Sequence, residues 1–256
     1  MRYFRESKQA GEPIPMVTAY DYTSALLVQS AGIQAILVGD SLGMVVQGDS
    51  DTLAVTLDDT IYHTKWVVRG APQAFIIADM PFMSYQPSVE DALRSAGRVL
   101  KETKAQAVKL EGGLEMVPQV EALVAAGIPV MGHIGMQPQS FNQYGGYGKQ
   151  AKTAEEQAAL TEKALALEQA GVFSMVLENI AHEAARQTTE ALSIPTIGIG
   201  AGLDCDGQIQ VFHDILGLIP EFKPRHTQRF GEIGASIIAA LGAYADAVRQ
   251  SQFVSK

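Results

Sequence analysis

The sequence has one cysteine, Cys205, in 256 residues, so no disulfide can form within it, and this usage fits a reducing cytosol. Basic residues are also scarce. Nineteen Lys and Arg face 28 Asp and Glu, a net charge of −9, which excludes a surface built to neutralise nucleic-acid phosphates. No apolar run approaches the ~20 residues of a membrane helix. The amino end, MRYFRESKQAGEP, lacks the apolar stretch of a secretory signal. Linkers, low-complexity segments and clear sequence repeats are missing too. What is present, 47% apolar residues over this length, is ample for a large core. The expectation is one cytoplasmic domain over residues 1–256 that handles small molecules, with neither nucleic acid nor membrane as partner.

Short β-branched runs alternate with longer stretches of helical periodicity, the pattern of a parallel α/β sheet. The runs are PMVTAY (15–20), AILVGD (35–40), AFIIAD (74–79), AVKLEG (107–112), PVMGHI (129–134), FSMVLE (173–178), PTIGIG (195–200) and QIQVFH (208–213). Helices are expected between them. One spans 88–105 with Ser88 as N-cap, and one spans 114–127 and closes on Gly127. A third spans 153–171, with Thr153 and Glu156 in capping-box spacing and Gly171 at its end. Eight such runs point to α/β architecture as a single (β/α)8 TIM barrel. The runner-up is a doubly wound open sheet, weakened because TAYDYTS stands where a Rossmann glycine loop would follow the first strand.

Asp40, Asp79, Glu111, His133 and Glu178 fall at or near the carboxyl ends of five of these runs. In a parallel barrel those ends form one face, where active sites are built. Any single acid there could be a helix N-cap, as Asp40 before Ser41 illustrates. Four acids on four strand ends repel one another, and a cation or a catalytic task accounts for them better than capping. Oxygen ligands without a Cys/His cluster favour Mg²⁺ over Zn²⁺. Such an ion leaves room for a 2-oxo acid bound through its carboxylate and keto oxygens. Lys109 shares a strand face with Glu111 and is suited to a substrate carboxylate, although it also serves simply to balance the acids. Cys205 reads as an unactivated thiol, His63 as a packing or hydrogen-bonding histidine on a helix, and GIGAG (198–202) as a tight turn. The apolar helix near 233–248 is suited to packing on its own barrel or on a neighbour.

Nine blocks then become specific: TAYDY (18–22), VGDSLGMVVQG (38–48), TLAVTLDDTIYHT (52–64), ADMPFMSYQ (78–86), AVKLEGG (107–113), GIPVMGHIGMQPQS (127–140), VLEN (176–179), IPTIGIGAG (194–202) and CDGQIQVFHDILGL (205–218). In this order they resemble the ketopantoate hydroxymethyltransferase family. The resemblance implies a metal-dependent (β/α)8-barrel transferase of pantothenate biosynthesis, a large homo-oligomer and commonly a decamer. Such an enzyme joins a one-carbon unit from 5,10-methylenetetrahydrofolate to 3-methyl-2-oxobutanoate, giving 2-dehydropantoate and tetrahydrofolate. It also implies one Mg²⁺ per subunit, held by Asp40, Asp79 and Glu111, and Glu178 as proton acceptor. Asp40, Ser41, Asp79, Lys109 and His133 are implied to contact substrate.

The chain departs from the family pattern in YGGYGKQAKT (144–153), which lacks a VQG element, and at Ala181, where proline is common. Lys149 and Lys152 in that loop are candidates for the glutamate tail of folate, against the simpler reading of a solvated loop. A 2-oxo-acid lyase or decarboxylase of the isocitrate lyase type is an alternative. It lacks support from any KKCGH-like loop, and a non-catalytic metal-dependent 2-oxo-acid binder is the other.

Overall fold

A computed structural model describes residues 1–146, 148–221, 224 and 227–252. Eight parallel strands close a barrel in sequence order, β1 to β8. They are β1 Ile14–Thr18, β2 Ala35–Val38, β3 Phe75–Asp79, β4 Ala107–Glu111, β5 Val130–Gly135, β6 Ser174–Glu178, β7 Thr196–Ile199 and β8 Gly207–Gln210. The helices are α1 Arg2–Ala10, α2 Tyr22–Ser30, α3 Leu57–Gly70, α4 Val89–Thr103, α5 Val117–Ala125, α6 Phe141–Tyr144, α7 Ala154–Ala170, α8 His182–Ala191, α9 Phe212–Ile215 and α10 Ile233–Arg249. The expected TIM barrel is therefore the observed fold.

Local chemistry sets the helix starts. Ser88 Oγ accepts the Asp91 N–H at the start of α4, and Thr153 and Glu156 form the expected reciprocal capping box of α7. Gly171 ends α7 in the left-handed conformation. Asp21 in TAYDYTS is the N-cap of α2, which explains why no glycine loop stands there.

Alternate strand residues point inward. Ile14, Met16, Leu37, Ile77, Ala107, Met131, Val176, Ile197 and Ile209 build one core inside the barrel, sealed at the amino ends of the strands by Phe4 of α1. The Phe4 ring meets Phe173 and Phe75 edge to face, with centroids 5.3 and 5.7 Å apart. This amino-terminal plug precedes the first of the eight runs and is not among the helices expected from the sequence.

Two further points correct the sequence reading. The last run continues to His213 in the sequence, but β8 stops at Gln210 and residues 212–215 are helical. Residues 200–206 join β7 to β8 with no intervening helix, so one βα unit is abbreviated. Gly200 and Gly202 take positive φ in this connection, as a tight turn requires.

The chain forms two compact units, Met1–Ile209 and Gln210–Lys256. In the second, the Phe230 and Ile233 N–H groups donate to the carbonyls of Ile215 and Leu216, tying the start of α10 to the end of α9. Ile237, Ile238, Leu241 and Val248 of α10 are exposed. Among the described residues, no helix is long and apolar enough to cross a membrane.

Candidate active site

Strand register gathers the polar residues. Asp79 pairs with Lys109 across β3 and β4, Glu111 with His133 across β4 and β5, and Gly135 with Glu178 across β5 and β6. Asp79, Lys109, Glu111 and His133 lie on the inward face, above the apolar core. With Asp40, just beyond β2, they are buried. The Glu178 side chain is a fifth exposed, at the rim.

None of the four acids caps a helix. The elements that follow them have Leu42, Ser88, Gly113 and Ala181 at their N-caps, and only Ser88 makes a side-chain cap bond. The capping alternative fails on this geometry.

Lys109 Nζ is the centre of the cluster. It lies 2.9 Å from Asp79 Oδ1, 3.8 Å from Glu111 Oε1 and 3.1 Å from His133 Nδ1. His133 Nδ1 is 3.3 Å from Glu111 Oε1, and its Nε2 is 3.2 Å from Glu178 Oε2. Asp79, Lys109, His133 and Glu178 thus stand in a row across four strands, in which the Lys109–His133 contact brings two cationic groups together and the flanking acids offset their repulsion. Burial of such charges costs several kcal/mol each unless they are paired and hydrogen-bonded.

The electrostatics follow from burial and from this pairing. Burial pushes the Asp40 carboxyl well above the usual carboxylate range, and repulsion from Asp79 and Glu111 adds to it. Asp79 is raised as well, by burial, with Lys109 working in the opposite direction. For Glu111, burial is outweighed by His133, Lys109 and the Gln139 N–H, and the carboxyl falls below its usual value. Burial opposes the Lys109 ammonium, but Asp79, Glu111 and Asp40 overcome it and keep the amine protonated. Burial and Lys109 likewise oppose protonation of His133, yet Glu111 and Glu178 prevail and raise it to about 9.

Ser41 lies beside this cluster, with its Oγ 2.8 Å from Tyr20 OH. His63 on α3 contacts the Tyr20 carbonyl through Nδ1 at 2.6 Å, as expected of a hydrogen-bonding histidine. Cys205 lies half-buried between β7 and β8.

Two residues of the site carried no role in the sequence reading. Gln139, in the 3₁₀ turn Pro138–Ser140 after β5, donates through Nε2 to Asp40 Oδ2 at 3.0 Å. Its backbone N–H donates to Glu111 Oε2 at 3.1 Å. The Tyr85 hydroxyl lies 2.9 Å from both Gln139 Oε1 and the Glu111 carbonyl, and accepts the Glu111 N–H at 2.9 Å. Both stand in loops, where neither periodicity nor charge marks a site residue.

The donor chemistry suits a hard cation. Among the described residues, three buried carboxylates, Asp40, Asp79 and Glu111, face two buried cationic partners, Lys109 and His133, leaving an excess of negative charge. Asp79 Oδ1 and Glu111 Oε1 are buried without an aligned hydrogen bond. Among the described residues, no three His, Cys, Asp or Glu groups are arranged to hold an ion by themselves. Mg²⁺ typically takes one or two protein carboxylates and completes its shell with water and substrate oxygens, so three direct protein ligands are not required of a site for it.

The two departures from the family pattern meet in space. The Ala181 N–H donates to the Gln150 carbonyl at 3.0 Å, a bond that proline cannot make, and Gln150 bridges to Ile180. Tyr147 in that loop lies outside the described residues.

Comparison with known proteins gives the family. The chain is 54% identical over 246 residues to 3-methyl-2-oxobutanoate hydroxymethyltransferase of Moorella thermoacetica, covering 96% of this chain and 91% of the relative. It is 53% identical over 253 residues to the enzyme of that name from Chloroflexus aurantiacus, covering 99% and 89%. Among solved structures, 2,3-dimethylmalate lyase, a PEP mutase/isocitrate lyase superfamily member, superposes with TM-score 0.64 at 20% identity, covering 100% and 90%. A phosphonopyruvate hydrolase complexed with oxalate and Mg²⁺ gives TM-score 0.62 at 13% identity, covering 98% and 87%. At these identities the two structures show a shared fold and nothing more. A sequence model of ketopantoate hydroxymethyltransferase matches residues 1–256, and the chain belongs to that family.

Proposed function

We infer that the chain transfers the one-carbon unit of 5,10-methylenetetrahydrofolate to C3 of 3-methyl-2-oxobutanoate, with water supplying the hydroxyl oxygen. The products are 2-dehydropantoate and tetrahydrofolate. The observation that carries this reading is the buried Asp79–Lys109–His133–Glu178 row at the strand ends, in a chain more than half identical to transferases of that name. The lyase and binder alternatives have no comparable support.

The roles follow from position. Lys109, kept protonated by its acids, offers a fixed positive charge to the substrate carboxylate, and Ser41 and His133 border the same space. Glu178 is at the rim, where a carboxylate can take the C3 proton and exchange it with solvent. The folate methylene carbon then bonds to C3 and to a water oxygen while its two C–N bonds break, and the folate nitrogens take the C3 proton and one water proton as tetrahydrofolate leaves. Asp40, Asp79 and Glu111 are the residues that would hold Mg²⁺, one per subunit. When bound, such an ion supplies Lewis-acid stabilisation of negative charge on the keto oxygen, worth several kcal/mol. The protein acts in the cytoplasm in pantothenate biosynthesis as a homodecamer or other large homo-oligomer, with residues 1–256 serving as one functional domain.

The test is proton exchange. With 3-methyl-2-oxobutanoate and Mg²⁺ in D₂O, NMR should show loss of the C3 proton signal. Addition of methylenetetrahydrofolate should yield 2-dehydropantoate. Exchange without product would point to another enolising enzyme, and absence of both would leave a binder.

A further inference from the structure

We propose that Gln139 is a positioning residue that clamps one oxygen of Asp40 and one of Glu111, so that both acids keep their other oxygen for a ligand. The proposal rests on reading these acids as holders of a cation.

Gln139 is 4% exposed, and each end of its side-chain amide has two partners within hydrogen-bonding distance. Nε2 donates to Asp40 Oδ2 at 3.0 Å and to the Met80 carbonyl at 2.9 Å. Oε1 faces the Tyr85 hydroxyl and Gln86 Nε2, each at 2.9 Å. A carbonyl can only accept, so the Met80 contact fixes which end of the amide faces Asp40. The backbone N–H of the same residue holds Glu111 Oε2 at 3.1 Å.

Asp79 completes the pattern. Its Oδ2 accepts the Asp40 backbone N–H at 3.2 Å. Each of the three acids therefore has one oxygen held by an amide N–H. Asp79 Oδ1 and Glu111 Oε1 remain buried with no aligned hydrogen bond. Two of the three clamps come from Gln139.

The residue type matters. An amide supplies N–H dipoles without net charge. A lysine or arginine here would neutralise the acids, and a glutamate would add a fourth negative charge to the cluster. A merely space-filling role would be met as well by methionine, which has similar length and no donor.

The experiment compares full-length wild type, Asp79→Asn and Gln139→Met after removal of metal by a chelator. Mg²⁺ binding is followed by calorimetry, Mn²⁺ binding by electron paramagnetic resonance, and thermal unfolding of each metal-free protein serves as a control. Wild type should bind, and Asp79→Asn should lose binding. Gln139→Met should bind about 10–100-fold more weakly, with a broadened Mn²⁺ spectrum. A lowered melting temperature with wild-type metal affinity in Gln139→Met overturns the positioning role and leaves the cation reading intact. Failure of wild type itself to bind overturns the cation reading. Should Gln139→Met not fold, Tyr85→Phe removes a hydroxyl partner of Gln139 Oε1 and leaves the glutamine in place. Weaker Mg²⁺ binding is then expected, and unchanged affinity overturns the proposal.

Discussion

His133 Nε2 lies 3.2 Å from Glu178 Oε2, so the rim carboxylate is joined through one imidazole to the buried ammonium of Lys109 on the other side of the ring. Glu178 is a fifth exposed and close to solvent, and the ring nitrogen facing it is buried without an aligned hydrogen bond. A carboxylate beside an imidazole, yet reached by water, is suited to taking a proton and releasing it.

Glu178→Gln retains the size and the contact with His133 but removes basicity. The chemical step, measured in a single turnover, should slow by about 10²–10⁴-fold with little change in unfolding temperature. Near-normal turnover would remove Glu178 from the proton-transfer role.

His133 gives a pH dependence of stability in chelator-treated protein. Its folded pKa of about 9 exceeds the ordinary 6.5 because Glu111 and Glu178 favour the imidazolium. The stabilisation is therefore fully present below about pH 6.5 and is lost as pH rises through about 9. Urea denaturation at several pH values should show this fall in wild type, and a smaller one in His133→Gln.

Gly135 sets the approach of β5 to β6. Its φ is +98°, and a Cβ there would come within 2.6 Å of Ile180 Cγ2 and closer still to the Glu178 carbonyl oxygen. Gly135→Ala should destabilise the protein by about 1–3 kcal/mol or more in denaturant titration. It should also lower turnover, because the backbone of Glu178 must shift. An alanine variant with unchanged stability and turnover would contradict that register.

Burial raises the Cys205 thiol above its ordinary value, with Asp206 and Asp204 adding to it, while Thr196 and Thr189 act in the other direction. Iodoacetamide should alkylate the native protein several-fold more slowly than the denatured chain at pH 8. Equal rates would show a thiol more open than the structure places it.

The sequence carries the barrel because most strands are short apolar runs and the long helices α3, α4 and α7 each begin with a side-chain cap. It carries the charged part of the site because acids at strand ends break that apolar pattern. Gln139 and Tyr85 do not show in this way, since their importance lies in hydrogen bonds to residues 99 and 26 positions distant. The blocks ADMPFMSYQ and GIPVMGHIGMQPQS contain them without distinguishing them from their neighbours. The α1 plug is hidden for a related reason: Tyr3 and Phe4 stand in a short charged segment, and the partners of Phe4, Phe75 and Phe173, are remote in sequence. The end of β8 was misplaced because VFH continues the apolar run into α9.

The amino-terminal helix has a consequence for the order of assembly. Lys8 Nζ lies 2.8 Å from Asp206 Oδ2, a partner 198 residues further along the chain, and the Ile14 N–H donates to the Asp206 carbonyl. On a ribosome adding about 5–20 residues per second, the plug would emerge roughly 10–40 s before the segment that secures it. Barrel closure is thus a late event with a large loop-closure cost, and Phe4 remains without its full setting until the final strands arrive. The α1 plug, made well before β8, is among the last segments to be locked in place.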